Sequence, residues 1–251
     1  MELTFYHNAI AYTFNTLHPI DISIPVRHDG QGVNCFHTQN PVIKPFEIGD
    51  FVGSVGQGGA CNVDVITFCP HGSGTHTEGI GHITPEHQTI MESLHQGIRV
   101  AGLITMHPIS VENDWVINQK MLELADISQE LDTIIIRTIP NDDSKTSKQY
   151  SDTNPPYFLA EALDFLRSKG IKHLLCDLPS VDKEKDGGNL LAHKAFFGLP
   201  DAPEWNSTIT ELIYVPNEVK DGLYILNLQT AGFQSDASPS RPQLYEVQMV
   251  F

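Results

Sequence analysis

The sequence predicts an α/β protein with mixed sheets that is richer in strands than a doubly wound fold. Two observations support this class: one clear β-α-β unit in the middle of the chain, and five further segments with the composition of strands. A length of 251 residues suits one α/β domain or two small ones. The sequence has no internal repeat, and its clearest polar stretch, 141–154, is interpreted as an exposed loop rather than a linker. We therefore expect residues 1–251 to form a single domain.

The β-α-β unit has a distinct signal for each of its parts. Residues 132–139 are a continuous run rich in β-branched side chains, which is typical of a buried strand. Asn154 and the two prolines after it begin a helix predicted over 156–169, and 171–176 forms the next strand. The two strands should be parallel, with a right-handed connection. Ligands of open α/β sheets bind beyond the carboxyl ends of strands, which places the segment 177–182 at a candidate site.

The remaining predicted elements are mainly strands. Enrichment in Val, Ile, Leu or Tyr predicts strands over residues 63–68, 99–105, 210–215, 222–229 and 243–250. Two more helices are predicted, over roughly 86–96 and 118–125. The predicted strand content therefore exceeds the helix content.

Composition and charge restrict the classes of function. Acidic residues outnumber basic ones by 31 to 15, which gives a formal net charge of −16. Such a surface repels a phosphate backbone, so we expect no nucleic-acid partner. The first residues lack a basic leader and an unbroken apolar stretch, so we expect no signal peptide. No apolar run approaches the ~18 residues that span a bilayer, so we expect no membrane partner. The four cysteines lack CxxC spacing, and we expect reduced thiols and a cytoplasmic location.

Most of the candidate chemistry lies in residues 71–82. Three histidines and a glutamate, His71, His76, His82 and Glu78, stand among glycines that allow a tight turn. Imidazole and carboxylate groups bind divalent metals and move protons near neutral pH. If the segment is extended, His76 and Glu78 lie on the same face of a strand and form a ligand pair for Zn²⁺ or Mn²⁺. His82 could then fold back over the ion as a proton donor or acceptor.

A metal site needs three or four protein ligands, and two further candidates lie downstream. His193 stands among apolar residues after a Gly-Gly loop, which fits either a metal ligand or a core histidine with a local hydrogen-bond partner. Glu211 falls inside an apolar predicted strand, where an unpaired carboxylate would be costly to bury. We therefore expect a partner for Glu211, which is a metal ion, an arginine or a lysine.

These residues together resemble the metal-dependent cyclase family, which includes bacterial kynurenine formamidase and isatin hydrolase. The family motif is His-x-Gly-Thr-His-x-Asp-x-Pro-x-His, and residues 74–82 match its latter part. The resemblance continues through 177–182 and reaches 236–241, the sequence DASPSR, near the end of the chain. Because separate blocks occur in the same order and spacing, the resemblance is more specific than any one motif.

The resemblance implies a swivelling β/β/α fold, a homo-oligomer (a dimer or tetramer) and hydrolysis of an amide-type bond with a bound divalent metal. Carried over residue by residue, it implies metal ligands at His76, Glu78, His193 and Glu211. His82 corresponds to the family's catalytic histidine, which accepts and delivers protons as the tetrahedral intermediate forms and collapses. The metal would lower the pKa of bound water from 15.7 toward ~7 and polarise the carbonyl.

Three departures from the motif bear on the metal. The family's first histidine corresponds to Gly72, and His71 lies one step further back. A slip of one residue turns a strand side chain to the other face, so we expect His71 to substitute only if the backbone bulges. Glu78 replaces the family aspartate and Ile80 replaces the family proline. These departures argue against a two-metal centre and leave one ion or none.

The leading hypothesis is a metal-dependent hydrolase that acts on a small formamide, lactam or cyclic amide with Zn²⁺ or Mn²⁺. A second hypothesis keeps the fold without metal hydrolysis. In one form of it, the protein is a lyase or isomerase in which Glu78 and His82 carry out acid–base catalysis. In the other form, the site binds a small molecule without turnover. A third hypothesis, a histidine-rich β-barrel metal oxygenase, is disfavoured by the predicted β-α-β unit.

Overall fold

The structure, a computed structural model, describes residues 1–125, 127 and 130–250. Its strands, in chain order, are β1 (Glu2–His7), β2 (Ile10–Asn15), β3 (Ile20–Asp21), β4 (Val42–Pro45), β5 (Glu47–Ile48), β6 (Phe51–Val52), β7 (Asp64–Thr67), β8 (His76–Gly79), β9 (Ile98–Met106), β10 (Ile109–Val111), β11 (Asp114–Ile117), β12 (Thr133–Thr138), β13 (Tyr157–Phe158), β14 (His173–Cys176), β15 (Thr208–Glu211), β16 (Gly222–Asn227), β17 (Ala237–Pro239) and β18 (Gln243–Val250). Its helices are α1 (Pro70–Ser73), α2 (Ile90–Ser93), α3 (Gln119–Leu124), α4 (Ala160–Ser168) and α5 (Leu191–Phe196). Short 3-10 turns cover Val55–Gln57, Ile80–His82 and Asp143–Thr146. Among the described helices, none is long and apolar enough to cross a membrane.

A mixed sheet of eleven strands organises the described part of the chain. Its order is β1-β2-β18-β16-β9-β12-β14-β15-β8-β17, and β3 also pairs with β18. The central strands β9, β12, β14 and β15 are parallel, whereas β16 and β8 pair antiparallel at the two sides of this group. This mixed α/β architecture confirms the predicted fold class.

The central strand β12 is buried on both faces, which explains its continuous apolar sequence. Ile134 and Ile136 belong to a hydrophobic cluster that includes Leu163 and Leu166 of α4. Ile135, which points the opposite way in a strand, belongs to a second cluster on the other side of the sheet. A parallel strand covered on both faces needs no polar alternation.

The predicted β-α-β unit is confirmed, with one shifted boundary. Strands β12 and β14 are parallel neighbours, and α4 lies between them in the chain. The helix begins at Ala160 rather than at residue 156. The reason is that Tyr157 and Phe158 pair in parallel with Val116 and Ile117 of β11, which keeps the chain extended there.

Two other predicted boundaries were wrong. The strand predicted over 210–215 ends at Glu211, because Leu212 has a φ of +56° and leaves the extended conformation. The helix predicted over 86–96 is only one turn, Ile90–Ser93. That turn begins at a capping box formed by Thr89 and Glu92, and the chain is again extended at β9 soon after it.

Residues 42–67 form a hairpin arm that comes just before the histidine-rich segment 71–82 in the chain. In it β4 pairs antiparallel with β7, and β5 pairs antiparallel with β6. The strand predicted over 63–68 is β7, and all four of its residues are exposed. The arm leads through Cys69 directly into α1.

Candidate active site

The centre of the site is β8, which lies between β15 and β17 in the main sheet. All four residues of this strand are buried. The helical turn α1 precedes β8 and a 3-10 turn follows it, so the glycine-rich segment folds as turn, strand and turn. His76 Nε2 lies 3.9 Å from Glu78 Oε2. The two side chains therefore meet on one face, as expected for alternate residues of an extended segment.

His71 reaches the site from a helical turn. The expectation that it needs a strand bulge was wrong, because α1 (Pro70–Ser73) is not extended and the rule of alternating faces does not apply. Its Nδ1 lies 3.0 Å from Glu78 Oε2, and its Nε2 lies 2.9 Å from Asp236 Oδ2. At Gly72, a Cβ atom would lie only 2.2 Å from Thr38 Oγ1. His71 is therefore the residue of this turn that places an imidazole in the site.

His76 is fully buried and faces Glu211 across the paired strands. The two residues are direct register partners in β8 and β15. His76 Nδ1 lies 3.1 Å from the carbonyl oxygen of Gly74, which fixes Nδ1 as the protonated nitrogen. The other ring nitrogen, Nε2, is 3.5 Å from Glu211 Oε2. Glu211 Oε1 accepts a 2.9 Å hydrogen bond from the backbone N–H of Val181, which holds this carboxylate in place.

His193 enters the site from the first turns of α5. Its Nδ1 donates to Asp182 Oδ2 at 2.6 Å, and its Nε2 lies 2.8 Å from Glu78 Oε1. Asp182 also accepts the backbone N–H groups of Ala192 and His193, at 2.7 and 3.1 Å. This carboxylate thus caps the start of the helix and orients the ring. His193 is buried, and its partners are site residues.

His82 and His71 share one carboxylate, that of Asp236. His82 Nδ1 lies 3.2 Å from Asp236 Oδ2, the same oxygen that contacts His71 Nε2. Hydrogen bonds from His71 and then His82 hold the pKa of the Asp236 carboxyl well below its usual range. His82 Nε2 lies 4.0 Å from Glu78 Oε2. Since a carboxylate only accepts hydrogen bonds, Nδ1 of His82 carries the proton in this pair.

Charge pairing determines the protonation of the cluster. Burial alone would lower the pKa of His71, but its hydrogen bond to Asp236 and its contact with Glu78 outweigh burial and raise this pKa to about 10. Burial likewise opposes a charge on His193, yet Asp182 and Glu78 raise the pKa of His193 well above its ordinary value. Burial would raise the pKa of Glu78, but the surrounding imidazoles hold it well below its usual range. Glu78 is therefore a carboxylate beside the positively charged rings of His71 and His193.

Two buried polar atoms at the centre have no hydrogen-bond partner among the described residues, namely His76 Nε2 and Glu78 Oε2. His71 Nδ1 is close to Glu78 Oε2 but is not aligned for a hydrogen bond. Buried polar atoms are normally satisfied, so these two atoms are candidate metal ligands. Ligand atoms of several such residue groups lie within 4.8 Å of one another, among them those of His71, His76 and Glu78 and those of Glu78, His82 and His193. Imidazole and carboxylate ligands suit Zn²⁺ or Mn²⁺, and the residues present fit such an ion.

A cavity of about 240 Å³ opens onto this cluster. The site residues on its wall are His71, Glu78, His82, His193 and Glu211. The rest of its wall consists of Phe36, Ser180, Asp182, Lys183, Glu184, Asp186 and Leu190. The cavity is smaller than the ~300–1,000 Å³ typical of sites for drug-sized ligands. It therefore suits a small substrate.

The structure brings together all the residues that the sequence suggested for the site. They are His71, His76, Glu78, His82, His193 and Glu211. Their roles as ligands or proton carriers stay predictions. Sequence reasoning missed the parts played by Asp182 and Asp236. The signal was present, because both acids lie inside segments that carry the family resemblance.

The fold recurs in proteins of known structure. One is a potential metal-dependent hydrolase with cyclase activity, with 16% identity, a TM-score of 0.64, and coverage of 91% of this chain and 98% of that one. A predicted metal-dependent hydrolase from Bacillus stearothermophilus has 17% identity, a TM-score of 0.63 and the same coverage. An isatin hydrolase bound to the product analogue thioisatinate has 14% identity, a TM-score of 0.66, and coverage of 92% and 93%. At such identities the likeness shows a shared fold.

The family assignment comes from the sequence. Comparison with the curated proteins gives no match. The model of the Cyclase family, described as "Putative cyclase", matches residues 20–183, which is more than half of the 251 residues. This span contains α1, β8 and the segment up to Asp182, so it includes the histidine-rich half of the site. The chain belongs to the cyclase family.

Proposed function

We propose that this protein is a metal-dependent hydrolase that cleaves an amide-type bond of a small molecule, such as a formamide, a lactam or a cyclic amide. The observation that carries the proposal is a pair of buried atoms, His76 Nε2 and Glu78 Oε2, that find no hydrogen-bond partner in the described part of the chain and lie in a cluster of histidines and carboxylates. Family membership supports a cyclase-type enzyme. The names of the similar structures, which include metal-dependent hydrolases and an isatin hydrolase, support the same class of reaction.

The proposed ligands of one Zn²⁺ or Mn²⁺ ion are His76, Glu78, His193 and Glu211, with His71 as a further donor. A single ion is proposed because the three histidines surround one carboxylate, that of Glu78, at 2.8 to 3.9 Å. When bound, the ion would polarise the substrate carbonyl and lower the pKa of a water molecule. The extra methylene of Glu78 is compatible with this arrangement, since its two oxygens contact His193 and His71.

The proposed proton carrier in this hydrolysis is His82. Its Nδ1–H donates to Asp236, so its Nε2 is left as a proton acceptor on the wall of the cavity. In the proposed reaction, Nε2 takes a proton from the attacking water as the carbon–oxygen bond forms. It then delivers that proton to the departing nitrogen as the carbon–nitrogen bond breaks. Asp236 keeps the ring in one tautomer and stabilises its charge.

The test combines metal analysis with a screen for activity. Protein purified without chelator is analysed for metal and assayed with N-formyl aromatics, lactams and cyclic imides, with and without added Zn²⁺ or Mn²⁺. We expect turnover that depends on one of the two ions. His82→Asn should lower kcat by about 10²–10⁴ and leave the metal content unchanged. The matched control His87→Asn changes an exposed histidine and should alter neither quantity.

The alternative outcomes point to distinct functions. Metal content near zero that added Zn²⁺ or Mn²⁺ cannot restore would overturn the proposal. Activity that persists in strong chelator and is lost in Glu78→Gln would establish metal-free acid–base catalysis instead. One observation favours that candidate: His71 already bridges Glu78 and Asp236 as a charged group. Tight binding of a test compound without turnover would establish a binding protein.

A further inference from the structure

The wall of the active-site cavity is acidic beyond the proposed metal ligands and His82. The charged residues of this acidic wall are Asp182, Lys183, Glu184 and Asp186. Three negative charges and one positive charge give it a net charge of −2. The same cavity contains Glu78 Oε2, a buried atom without a hydrogen-bond partner among the described residues. The cavity is therefore a candidate ligand site on independent grounds, and its acidic wall favours a ligand with a positive charge.

The segment 182–186, Asp-Lys-Glu-Lys-Asp, alternates acidic and basic side chains, but its two lysines are paired with acids from other segments. Lys183 Nζ lies 2.7 Å from Asp114 Oδ2. Lys185 Nζ lies 2.5 Å from Asp152 Oδ1. Among the described residues, no lysine or arginine forms a salt bridge with the carboxylates at positions 184 and 186. These two carboxylates therefore face the cavity without a paired cation of the protein.

Hydrogen bonds from the backbone hold both carboxylates in fixed positions. Glu184 accepts the N–H groups of Asp152 and Asn154, at 2.5 and 3.1 Å. Asp186 accepts two N–H groups of its own loop, at 2.7 and 2.6 Å. Each carboxylate oxygen has a second lone pair and can accept a further hydrogen bond. A cationic ligand therefore finds acceptors that are already in place, and little affinity is lost in ordering them.

The ring of Phe36 adds an aromatic surface to the same cavity, and 39% of this residue is exposed. Phe36 and His37 both have a left-handed backbone, with φ values of +58° and +52°, which is uncommon for residues other than glycine. On one side of this turn, the N–H of Cys35 donates to the carbonyl of Gly72. On the other side, the N–H of His37 donates to the hydroxyl of Ser151. The fold thus holds an exposed aromatic ring at the cavity, and the face of such a ring attracts a cation.

We infer that the substrate of this cavity carries an ammonium group, which binds at Glu184, Asp186 and Phe36. The inference rests on the proposed function and adds to it the charge of the substrate. An ammonium group donates charge-assisted hydrogen bonds to carboxylates, and these bonds are stronger than bonds between neutral groups. The same carboxylates repel an anionic compound. The cavity should therefore select cationic amides over neutral ones, and neutral amides over anionic ones.

The test compares three formanilides that differ only in the para substituent. The substituents are aminomethyl, methyl and carboxymethyl, which are positive, neutral and negative near neutral pH. Dissociation constants are measured by calorimetry in the presence of chelator, and kcat and KM are measured with Zn²⁺ or Mn²⁺. We expect the aminomethyl compound to bind about tenfold or more tightly than the methyl compound, and the carboxymethyl compound to bind most weakly. KM should follow the same order, because the charge lies away from the reacting bond.

Variants of the wall test which residues produce the preference. Glu184→Gln should reduce the preference for the aminomethyl over the methyl compound about threefold or more, and should strengthen binding of the carboxymethyl compound. The affinity for the methyl compound is the internal control, since a variant that merely disturbs the wall would weaken all three compounds alike. Phe36→Leu keeps an apolar side chain and should also reduce the preference. Glu47→Gln, at an exposed glutamate outside the cavity, should leave all three affinities unchanged.

The outcomes separate this inference from the proposed function. Equal affinities for the aminomethyl and methyl compounds, tighter binding of the carboxymethyl compound, or no binding of the aminomethyl compound would overturn the inference. A preference that survives Glu184→Gln or Phe36→Leu unchanged would also overturn it. Turnover of all three compounds without a charge preference would overturn the inference and leave the proposed hydrolysis intact. Charge-selective binding without turnover with either metal would support the ammonium site and contradict the hydrolysis.

Discussion

The Asp182 carboxylate accepts a 2.6 Å hydrogen bond from His193 Nδ1 and thereby directs the other nitrogen of that ring toward Glu78. The same carboxylate accepts the backbone N–H groups of Ala192 and His193 at the start of α5. The helix start and the ring orientation therefore depend on one side chain. Partners of this kind fix the tautomer of a metal-binding histidine and raise its basicity.

Asp182→Asn should weaken metal binding without unfolding the protein. The Oδ1 atom of asparagine can still accept the backbone N–H of Ala192, whereas its uncharged NH2 group would replace the oxygen that accepts from His193. That NH2 group can donate to Nδ1, which would move the ring proton to Nε2. We expect the dissociation constant for Zn²⁺ or Mn²⁺, measured by calorimetry, to rise about 10–100-fold. Asp186→Asn is the control, since Asp186 lies on the same cavity wall but closes its own loop through the N–H groups of Gly188 and Leu190. Equal affinities for Asp182→Asn and the natural protein would contradict the positioning role.

The sequence predicted the centre of the fold and the members of the candidate site for separate reasons. The apolar run at β12 and the helix after it are local patterns, and the structure confirms both. The site was visible because four of its side chains fall within residues 71–82. The path of this segment was not predictable, because a one-turn helix at His71 leaves no periodic pattern. The contacts of Asp182 and Asp236 depend on chain segments far apart in sequence.

Gly72→Ala should destabilise the protein even though alanine is small. Its Cβ would lie 2.2 Å from Oγ1 and 2.7 Å from Cγ2 of Thr38. Thr38 cannot easily turn away, since its hydroxyl donates to the carbonyl of Cys35. We expect the free energy of unfolding, measured in urea, to fall by about 1–3 kcal/mol, as for other overpacked sites. Gly232→Ala, whose Cβ would meet only Met91 Sδ at 3.9 Å, should be nearly neutral. Similar free energies of unfolding for Gly72→Ala and Gly232→Ala would show that the turn at residue 72 accommodates the added Cβ atom.

Stability should decline in mild acid partly because of His173. This histidine is the first residue of β14 and is buried, with Nδ1 2.8 Å from Oγ1 of Thr208 in β15. Burial, together with the charge of Arg99, lowers its pKa to about 3, against ~6.5 in the unfolded chain. The unfolded state therefore binds a proton below pH ~6.5 that the folded state rejects. The contribution of His173 to the free energy of unfolding is complete above that pH. It declines toward pH 3, by at most ~1.4 kcal/mol per pH unit.

Urea denaturation between pH 7 and pH 4 measures this contribution of His173. His173→Gln removes the titrating group and should give a shallower decline of the unfolding free energy with falling pH. His87→Asn, at an exposed histidine, should follow the natural protein. Parallel declines for His173→Gln and the natural protein would assign the acid sensitivity to other groups.

Added metal should stabilise the natural protein, and His76 is the residue at which this effect can be removed most cleanly. Its Nε2 has no hydrogen-bond partner among the described residues. In the absence of metal, His76→Gln therefore removes packing and one contact to the carbonyl of Gly74. A ligand at 100 times its dissociation constant contributes ~2.7 kcal/mol, or about 5–10 °C in Tm for a chain of this size. We expect that rise with Zn²⁺ or Mn²⁺ in the natural protein, measured by calorimetry, and little rise in His76→Gln. A full rise in the variant would exclude His76 as a ligand, because the bound ion would then owe none of its affinity to Nε2.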